Sequence, residues 1–388
     1  MSVDGDVVRI HGKGLAGFSP SERALNCGNS GSTMRMLAGV LAGQEFSSEL
    51  TGDESLKSRP MQRIIDPLER MGAQIQSQNG RPPLRISSAK PLKPIRYELP
   101  VASAQVKSCV LLAGLYADGE TTVIEYVRTR DHTERMLEWY GASLRVGEGE
   151  RREAERSRVG EGEKSEWAIS VMGPARLTAQ DVQIPGDISS AAFLIAAAAL
   201  LPDSNLTIKG IGLNPTRTQF LSELELLGAK ITLSDVQEIS NEPVGTVNIG
   251  GGMQHGQSRS AGKVSGHAVA QLIDELPLLA VMGTQVSGGI EVRDARELRV
   301  KESDRIATTV QNLRAMDADV EEYPDGFRVD GPTSLKGARV DSHGDHRIAM
   351  AFSVAALVAE GDSEIVDADC VNVSFPGFFP LLESLVER

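Results

Sequence analysis

Residues 186–201, GDISSAAFLIAAAALL, decide the fold, because a polar cluster opens here onto a long run of small apolar side chains. A helix that is apolar on every side is buried on every side, so the run predicts a helix in the interior of a domain. The run is only about half as long as a membrane-spanning helix. The polar residues ahead of it predict the N-terminus of that helix.

The same arrangement occurs five times, with openings 71 to 87 residues apart. The opening clusters lie at 29–32, 103–107, 186–190, 274–277 and 345–347. Most are followed by a β-rich stretch and a second helix that ends in a phrase such as ERMGAQI (69–75) or ELLGAKI (225–231). Gly72, Gly141 and Gly228 in these phrases are predicted left-handed helix caps. The chain is therefore an internal repeat of one strand–helix–strand–helix–strand unit.

The repeats predict two domains, residues 1–184 and 185–388, that divide near Ile184-Pro185-Gly186. Two repeats lie before this division and three after it. If each domain has three repeats, a sixth copy is expected to precede Met1. Residues 146–166 (VGEGERREAERSRVGEGEKSE) are charged and of low complexity, which predicts a solvated insertion or hairpin tip. Val8 and Ile10 alternate with polar residues and predict a strand near the N-terminus.

Composition limits the functional classes. The chain has 388 residues, 40% of them hydrophobic and 24% charged, and a net charge of −13, which argues against general nucleic-acid binding. Its three cysteines are too scattered for a disulfide framework or a metal site, and no cluster has metal-ligand spacing. The N-terminus has no signal-peptide pattern, so we expect a cytoplasmic protein.

Four clusters in the first part of the chain bring cations and hydroxyls to predicted helix starts, where the backbone favours anions. Each also fits an ordinary capped helix or a solvated turn. Lys57 and Arg59 precede a helix predicted at 61–71, and Lys107 places an ammonium group on another. The clusters are 29–35 (NSGSTMR), 57–60 (KSRP), 103–107 (SAQVK) and 129–135 (TRDHTER).

Three clusters in the second part add acids to the cations. Asp274 precedes an apolar helix, where partial desolvation would raise the pKa of a carboxyl group, although it could equally be a helix cap. Lys301 and Arg305 are four residues apart and would share a helix face beside Glu302, unless this is a salt-bridged surface helix. Residues 345–347 (DHR) open a further apolar helix.

Together these clusters predict a ligand with several anionic groups and acid–base chemistry without a metal or cofactor. There is no Walker loop and no G-x-G-x-x-G after a predicted strand, so a nucleotide site is not indicated. No G-x-S-x-G or Cys–His arrangement indicates a nucleophile.

Ten ordered segments from about Cys27 to the C-terminus resemble the 5-enolpyruvylshikimate-3-phosphate (EPSP) synthase family. They include NCGNSGSTMRML (26–37), SAQVKSCVLLAGL (103–115), PGDISSAAFLIAAAA (185–199), ELRVKESDRI (297–306) and GDHRIAMAFSVAAL (344–357). The forms SAQVK, RDHTE and NPTR are similar to the branch known for glyphosate tolerance. The resemblance implies two pseudo-threefold α/β domains, an inside-out α/β barrel built from six βαβαββ units, that close on the substrates.

The resemblance also implies an activity and a set of site residues. The family transfers the enolpyruvyl group of phosphoenolpyruvate to the 5-hydroxyl of shikimate 3-phosphate. Asp274 would accept the hydroxyl proton, and Glu302 would be an acid near the methylene carbon. The residues implied for shikimate 3-phosphate are Ser103, Ala104, Gln105, Thr129, Arg130, Asp274, Glu297 and Lys301. Those implied for phosphoenolpyruvate are Asn29, Gly31, Arg59, Gln105, Arg305 and Arg347.

Two departures from the family pattern leave alternatives open. No GDKSxSxR-type segment of the first unit is present, and Val373 stands where some members have lysine. A small separate polypeptide supplying the first repeat, a mis-assigned start codon, or a degenerate copy would each explain the first departure. A complete chain would be a monomer. The rival functions are a non-catalytic subunit that binds shikimate 3-phosphate and an enolpyruvyl transferase acting on a UDP-amino sugar.

Overall fold

Buried apolar side chains form two hydrophobic cores, one in each of two compact units, Met1–Val182 and Gln183–Arg388. The computed structural model describes residues 1–88, 91–148, 166–253 and 262–386. Most of the predicted insertion, residues 149–165, lies outside the described residues. No helix in the described ranges is long and apolar enough to cross a membrane.

The first unit contains two similar four-stranded sheets with helices between their strands. Its described elements are β1 (Ser2–Asp4), β2 (Val7–Arg9), β3 (Leu25–Asn26), α1 (Gly31–Ala42), β4 (Ser48–Thr51), α2 (Glu54–Ser58), α3 (Gln62–Arg70), β5 (Ala73–Gln78), β6 (Arg81–Ser88), β7 (Arg96–Glu98), α4 (Ala104–Gly114), β8 (Gly119–Glu125), α5 (His132–Trp139), β9 (Leu144–Glu148) and β10 (Trp167–Gly173).

The second unit repeats the pattern. Its described elements are α6 (Ile188–Leu200), β11 (Asn205–Gly212), α7 (Gln219–Leu226), β12 (Lys230–Ile239), β13 (Glu242–Gly250), β14 (Gly262–Val264), α8 (His267–Leu272), α9 (Leu276–Gly283), β15 (Ile290–Val292), a 3-10 helix (Arg296–Val300), α10 (Arg305–Ala315), β16 (Val320–Tyr323), β17 (Gly326–Val329), β18 (Arg339–Asp341), α11 (His346–Val358), β19 (Glu364–Val366), a second 3-10 helix (Ala368–Val373) and α12 (Phe378–Leu385).

The sheets share one strand order, in which a parallel pair is followed by an antiparallel pair. The orders are β3-β4-β6-β5, β7-β8-β10-β9 and β14-β15-β17-β16. A parallel bridge from Gly186 to Ile211 starts the β11-β13-β12 sheet in the same way, and β18 pairs in parallel with β19. Parallel neighbours need a crossover, and the small-residue helix supplies it. Four of the five predicted units therefore show this strand order, and β18 and β19 form only its parallel pair. The structure confirms the α/β fold class.

The crossover helices lie in the cores, as their composition predicts. In the second unit α6, α9 and α11 pack against one another, and every residue of α9 is buried. In the first unit α1 packs on α4 so closely that a Cβ atom on Gly39 would lie 2.2 Å from the Cys109 carbonyl oxygen. Small side chains are therefore required at these contacts.

Local sequence signals set the helix ends. Ser30, Ser103, Asp187 and Asp345 accept backbone N–H bonds as N-caps of α1, α4, α6 and α11. Glu275 precedes α9 without such a bond. Gly72, Gly141 and Gly228 have φ values of +104°, +81° and +99°, which confirms the predicted caps.

Two local predictions are corrected. The predicted N-terminal strand is limited to Val7–Arg9 and forms an exposed hairpin with Ser2–Asp4, so Ile10 lies beyond it. Arg59 caps the short helix α2, and the next helix begins at Gln62, two residues after Pro60. The loop between the two helices turns the Arg59 side chain toward α1, as described below.

Candidate active site

The start of α1 collects two arginines around Gly31 in the first unit. A Cβ atom on Gly31 would lie 2.9 Å from Arg35 Nη1 and 3.4 Å from Arg59 Nη1. Arg59 Nη2 donates to Asn29 Oδ1 at 2.8 Å, and Asn29 Nδ2 donates to Asp53 Oδ2 at 2.8 Å. The structure therefore brings Asn29, Gly31 and Arg59 together at a helix N-terminus that favours an anion.

Gln105 joins this group from the neighbouring helix start. Its Oε1 accepts from Arg35 Nη1 at 2.5 Å, and its Nε2 donates to Ser32 Oγ at 2.6 Å. These two bonds fix the orientation of the amide. Arg35 and Ser32 belong to the 29–35 cluster, but no sequence pattern predicted their bonds to Gln105, because only the packing of α1 on α4 brings them together.

The second repeat carries predicted site residues in two places. Ser103 and Ala104 lie at the start of α4, and Thr129 and Arg130 lie in the loop between β8 and α5. Ser103 caps α4, and Ala104 is the first residue of that helix. Thr129 is 5% exposed, and its hydroxyl donates to Glu125 Oε2 at 2.7 Å. Arg130 is half-buried in the loop between β8 and α5.

The sequence predicted that Lys107 places an accessible ammonium group at a helix start, and this prediction is wrong. Lys107 is fully buried and forms ion pairs with Glu125 Oε1 at 3.3 Å and Glu134 Oε1 at 2.6 Å. The helical period explains the error. Lys107 follows Ser103 by one full turn of α4, and at that depth its side chain lies within the core.

Arg305 organises the acids of the second unit. Its Nη1 lies 3.2 Å from Asp274 Oδ1, and its Nη2 lies 2.7 Å from Glu302 Oε2. Its Nε lies 2.8 Å from Asp345 Oδ2, and both Arg305 and Asp345 are almost completely buried. The two predicted acids therefore share one guanidinium group.

Lys301 and Glu297 complete this group. Lys301 Nζ lies 3.3 Å from Glu297 Oε1 and 4.0 Å from Asp274 Oδ1. The expectation that Lys301 and Arg305 share a helix face is wrong, because α10 begins at Arg305 and Lys301 lies between it and the preceding 3-10 helix. The loop nevertheless brings both cations to Asp274.

Arg347 lies at the start of α11. Its Nη1 is 3.5 Å from both Glu275 Oε1 and the Ser189 carbonyl oxygen. Its backbone N–H donates to Asp345 Oδ1 at 2.9 Å, so Asp345 links Arg347 to Arg305. The sequence placed Asp345 in a cluster but assigned it no role. The sequence signal for Asp345 was its place directly before an apolar helix, where aspartate is a preferred N-cap.

The charges of this group stabilise one another. Burial alone would raise the pKa of Asp345, but the Arg305 guanidinium holds that pKa below its usual value. Burial alone would lower the pKa of Arg305, but Asp345, Glu302 and Asp274 together raise it, so Arg305 stays charged. Burial and the neighbouring Arg347 lower the pKa of His346.

The arrangement provides carboxylates beside a permanent cation, which suits proton transfer near an anionic substrate. Across the described ranges, no group of three or more histidine, cysteine, aspartate or glutamate side chains is placed to hold a metal ion.

Comparisons with known proteins agree with this chemistry. Residues 1–382 match the family described as EPSP synthase (3-phosphoshikimate 1-carboxyvinyltransferase). The chain is 51% identical to the 3-phosphoshikimate 1-carboxyvinyltransferase of Koribacter versatilis, covering 99% of this chain and 84% of that protein. It is 48% identical to the protein of that name from Salinibacter ruber, over 97% and 83% of the two chains.

A solved structure gives the same result. EPSP synthase from Acinetobacter baumannii matches with a TM-score of 0.77 and 39% identity, over 97% of this chain and 81% of that one. These relatives are single chains longer than their aligned parts, so they give no support to a separate small polypeptide. The chain belongs to the EPSP synthase family.

Proposed function

We propose that this member of the EPSP synthase family transfers the enolpyruvyl group of phosphoenolpyruvate to the 5-hydroxyl of shikimate 3-phosphate and releases phosphate. The observation that carries the proposal is the pairing of Asp274 and Glu302 with one buried arginine, Arg305. The family and its named relatives supply the identity of the substrates.

The reaction needs two proton transfers. One proton leaves the attacking hydroxyl, and another is added to the methylene carbon of phosphoenolpyruvate and later removed. Asp274 accepts the proton of the attacking hydroxyl, whose oxygen bonds to C2 of phosphoenolpyruvate. Glu302 serves as the acid near the methylene carbon, which becomes a methyl group in the tetrahedral intermediate. Loss of a methyl proton and departure of phosphate then restore the double bond. Arg305 and Lys301 offset the negative charge around Asp274.

The remaining predicted residues act as anion ligands in this proposal. In the first unit, shikimate 3-phosphate would contact the segments of Ser103, Ala104, Gln105, Thr129 and Arg130, and phosphoenolpyruvate would contact Asn29, Gly31, Arg59 and Gln105. In the second unit, Glu297, Lys301 and Asp274 would serve shikimate 3-phosphate, and Arg305 and Arg347 would serve phosphoenolpyruvate. Arginine is suited to this role because its planar fork matches phosphate and carboxylate oxygens.

The test is phosphate release from phosphoenolpyruvate by the purified chain, with and without shikimate 3-phosphate. Asp274→Asn should lower kcat by roughly 100-fold or more, the usual contribution of a positioned acid or base. Its affinity for shikimate 3-phosphate, measured by calorimetry, should stay within a few-fold of the original chain. Asp362→Asn, at an exposed aspartate of the same unit, is the matched control and should keep full activity.

The outcomes separate the alternatives. Full activity in Asp274→Asn would place the base elsewhere. Binding of shikimate 3-phosphate without phosphate release by the original chain would support the non-catalytic alternative. If neither binding nor release is seen, the proposed function is wrong.

A further inference from the structure

A buried ionic cluster of Lys107, Glu125 and Glu134 lies in the first unit, and the proposed acid–base steps do not use it. The side chains are 0%, 2% and 6% exposed. Removing three charges from water is costly, and the cost is offset only where each charge is closely paired and hydrogen-bonded. The bonds made by this cluster therefore indicate what it holds in place.

The cluster joins the three elements around one short loop. Lys107 lies on α4, two residues after Gln105, and Glu125 is the last residue of β8. Glu134 lies in the first turn of α5. The loop from β8 to α5 carries Thr129 and Arg130.

Thr129 is bound to the cluster through three of its polar groups. Glu125 Oε2 accepts from the Thr129 backbone N–H at 3.2 Å and from its hydroxyl at 2.7 Å. Lys107 Nζ donates to the Thr129 carbonyl oxygen at 3.5 Å. Both backbone groups of Thr129 are thus held by buried charged side chains, and its hydroxyl points into the cluster.

We propose that Lys107 and Glu125 are positioning residues, which fix the backbone of Thr129 and so set the location of the Arg130 guanidinium for the phosphate of shikimate 3-phosphate. This inference rests on the proposed function. A planar guanidinium binds phosphate through paired bonds only when it is correctly oriented, so a fixed backbone next to it favours binding. Glu134 balances the charge of Lys107, whereas the carboxylate that bonds directly to Thr129 within the described residues belongs to Glu125.

The two glutamates allow a matched test. Glu125→Gln and Glu134→Gln each neutralise one carboxylate and leave Lys107 with one remaining partner, so both variants should fold. Glu125→Gln should weaken binding of shikimate 3-phosphate by about tenfold, as expected for the loss of one charge-assisted hydrogen bond, while kcat at saturation stays unchanged. Glu134→Gln should bind it within about twofold of the original chain.

Hydrogen exchange provides a second readout that needs no substrate. The Thr129 amide should exchange faster in Glu125→Gln than in the original chain, and Glu134→Gln should leave it unchanged. Equal effects of the two variants on affinity and exchange, or no effect of Glu125→Gln, would overturn the positioning role. If the original chain neither binds shikimate 3-phosphate nor releases phosphate, the proposed function fails, and the exchange rates still decide whether Glu125 fixes Thr129.

Discussion

Arg305 is surrounded by three carboxylates and is almost completely buried, so its surroundings determine its charge and its orientation. Asp345 is the most deeply buried of the three and holds Arg305 through two of its nitrogens, at 2.8 and 3.2 Å. Asp274 and Glu302 are each 17% exposed. Asp345 therefore anchors the arginine, and the other two acids lie closer to solvent.

Replacing this anchor should reduce stability. Asp345→Asn leaves a buried guanidinium without its main partner, and we expect the free energy of unfolding to fall by about 3 kcal/mol. Asp330→Asn removes a carboxylate from an exposed pair with Arg328 and should cost less than about 1 kcal/mol. Urea unfolding of both variants tests this, and equal losses would show that the burial of Asp345 contributes nothing.

Glu134 should make stability depend on pH. Burial raises its pKa, and the nearby Lys107 only partly counteracts this. The folded chain thus holds this proton more tightly than the unfolded chain. The stabilisation is complete below the usual glutamate pKa and is lost as the pH rises through the raised value.

Unfolding measured against pH tests this sign. As the pH rises above about 4.5, the free energy of unfolding of the original chain should fall relative to that of Glu134→Gln. A shift in the opposite direction would mean that Lys107 outweighs burial and that the pKa of Glu134 is lowered.

At the scale of elements, the contact between α1 and α4 determines the first-unit site. Gly39 lets α1 approach the Cys109 carbonyl of α4, and this approach places Arg35 beside Gln105. The helices themselves follow from the sequence, but their separation depends on a glycine that shows no distinctive local pattern.

Gly39→Ala should therefore be destabilising, although alanine favours helices by about 1 kcal/mol over glycine. The added Cβ would lie 2.2 Å from a backbone oxygen, so α1 and α4 must separate, at a net cost of about 1–3 kcal/mol. Gly12→Ala, where a Cβ atom would meet nothing within 4 Å, is the control and should be close to neutral. Thermal unfolding measures both, and a stabilised Gly39→Ala would contradict the close packing.

At the scale of the whole molecule, a chain with a net charge of −13 is proposed to bind two anions. The overall field opposes these ligands, so the local groups of arginine and lysine at helix starts must supply the attraction. Binding to the folded state alone then stabilises the protein by mass action.

Shikimate 3-phosphate at about 100 times its Kd should stabilise the chain by about 2.7 kcal/mol, seen as a higher Tm in calorimetry. Shikimate at the same concentration lacks the phosphate and should give a much smaller rise. Equal rises for the two compounds would show that the cationic groups do not recognise the phosphate.

The sequence by itself determined the five repeats, the helix starts and the family, because these depend on local composition, capping residues and ordered motifs. Position 345 illustrates the limit. Its capping role is local, but its bond to Arg305 joins residues 40 positions apart.

Only the tertiary structure decided which polar groups share a partner and which are buried. Asp274 and Glu302 meet on one arginine because the segments before α9 and α10 are brought together. Lys107, by contrast, is turned into the core instead of toward a ligand. Burial and pairing depend on how helices and loops from distant parts of the chain pack, and a linear pattern of residue types does not contain that information.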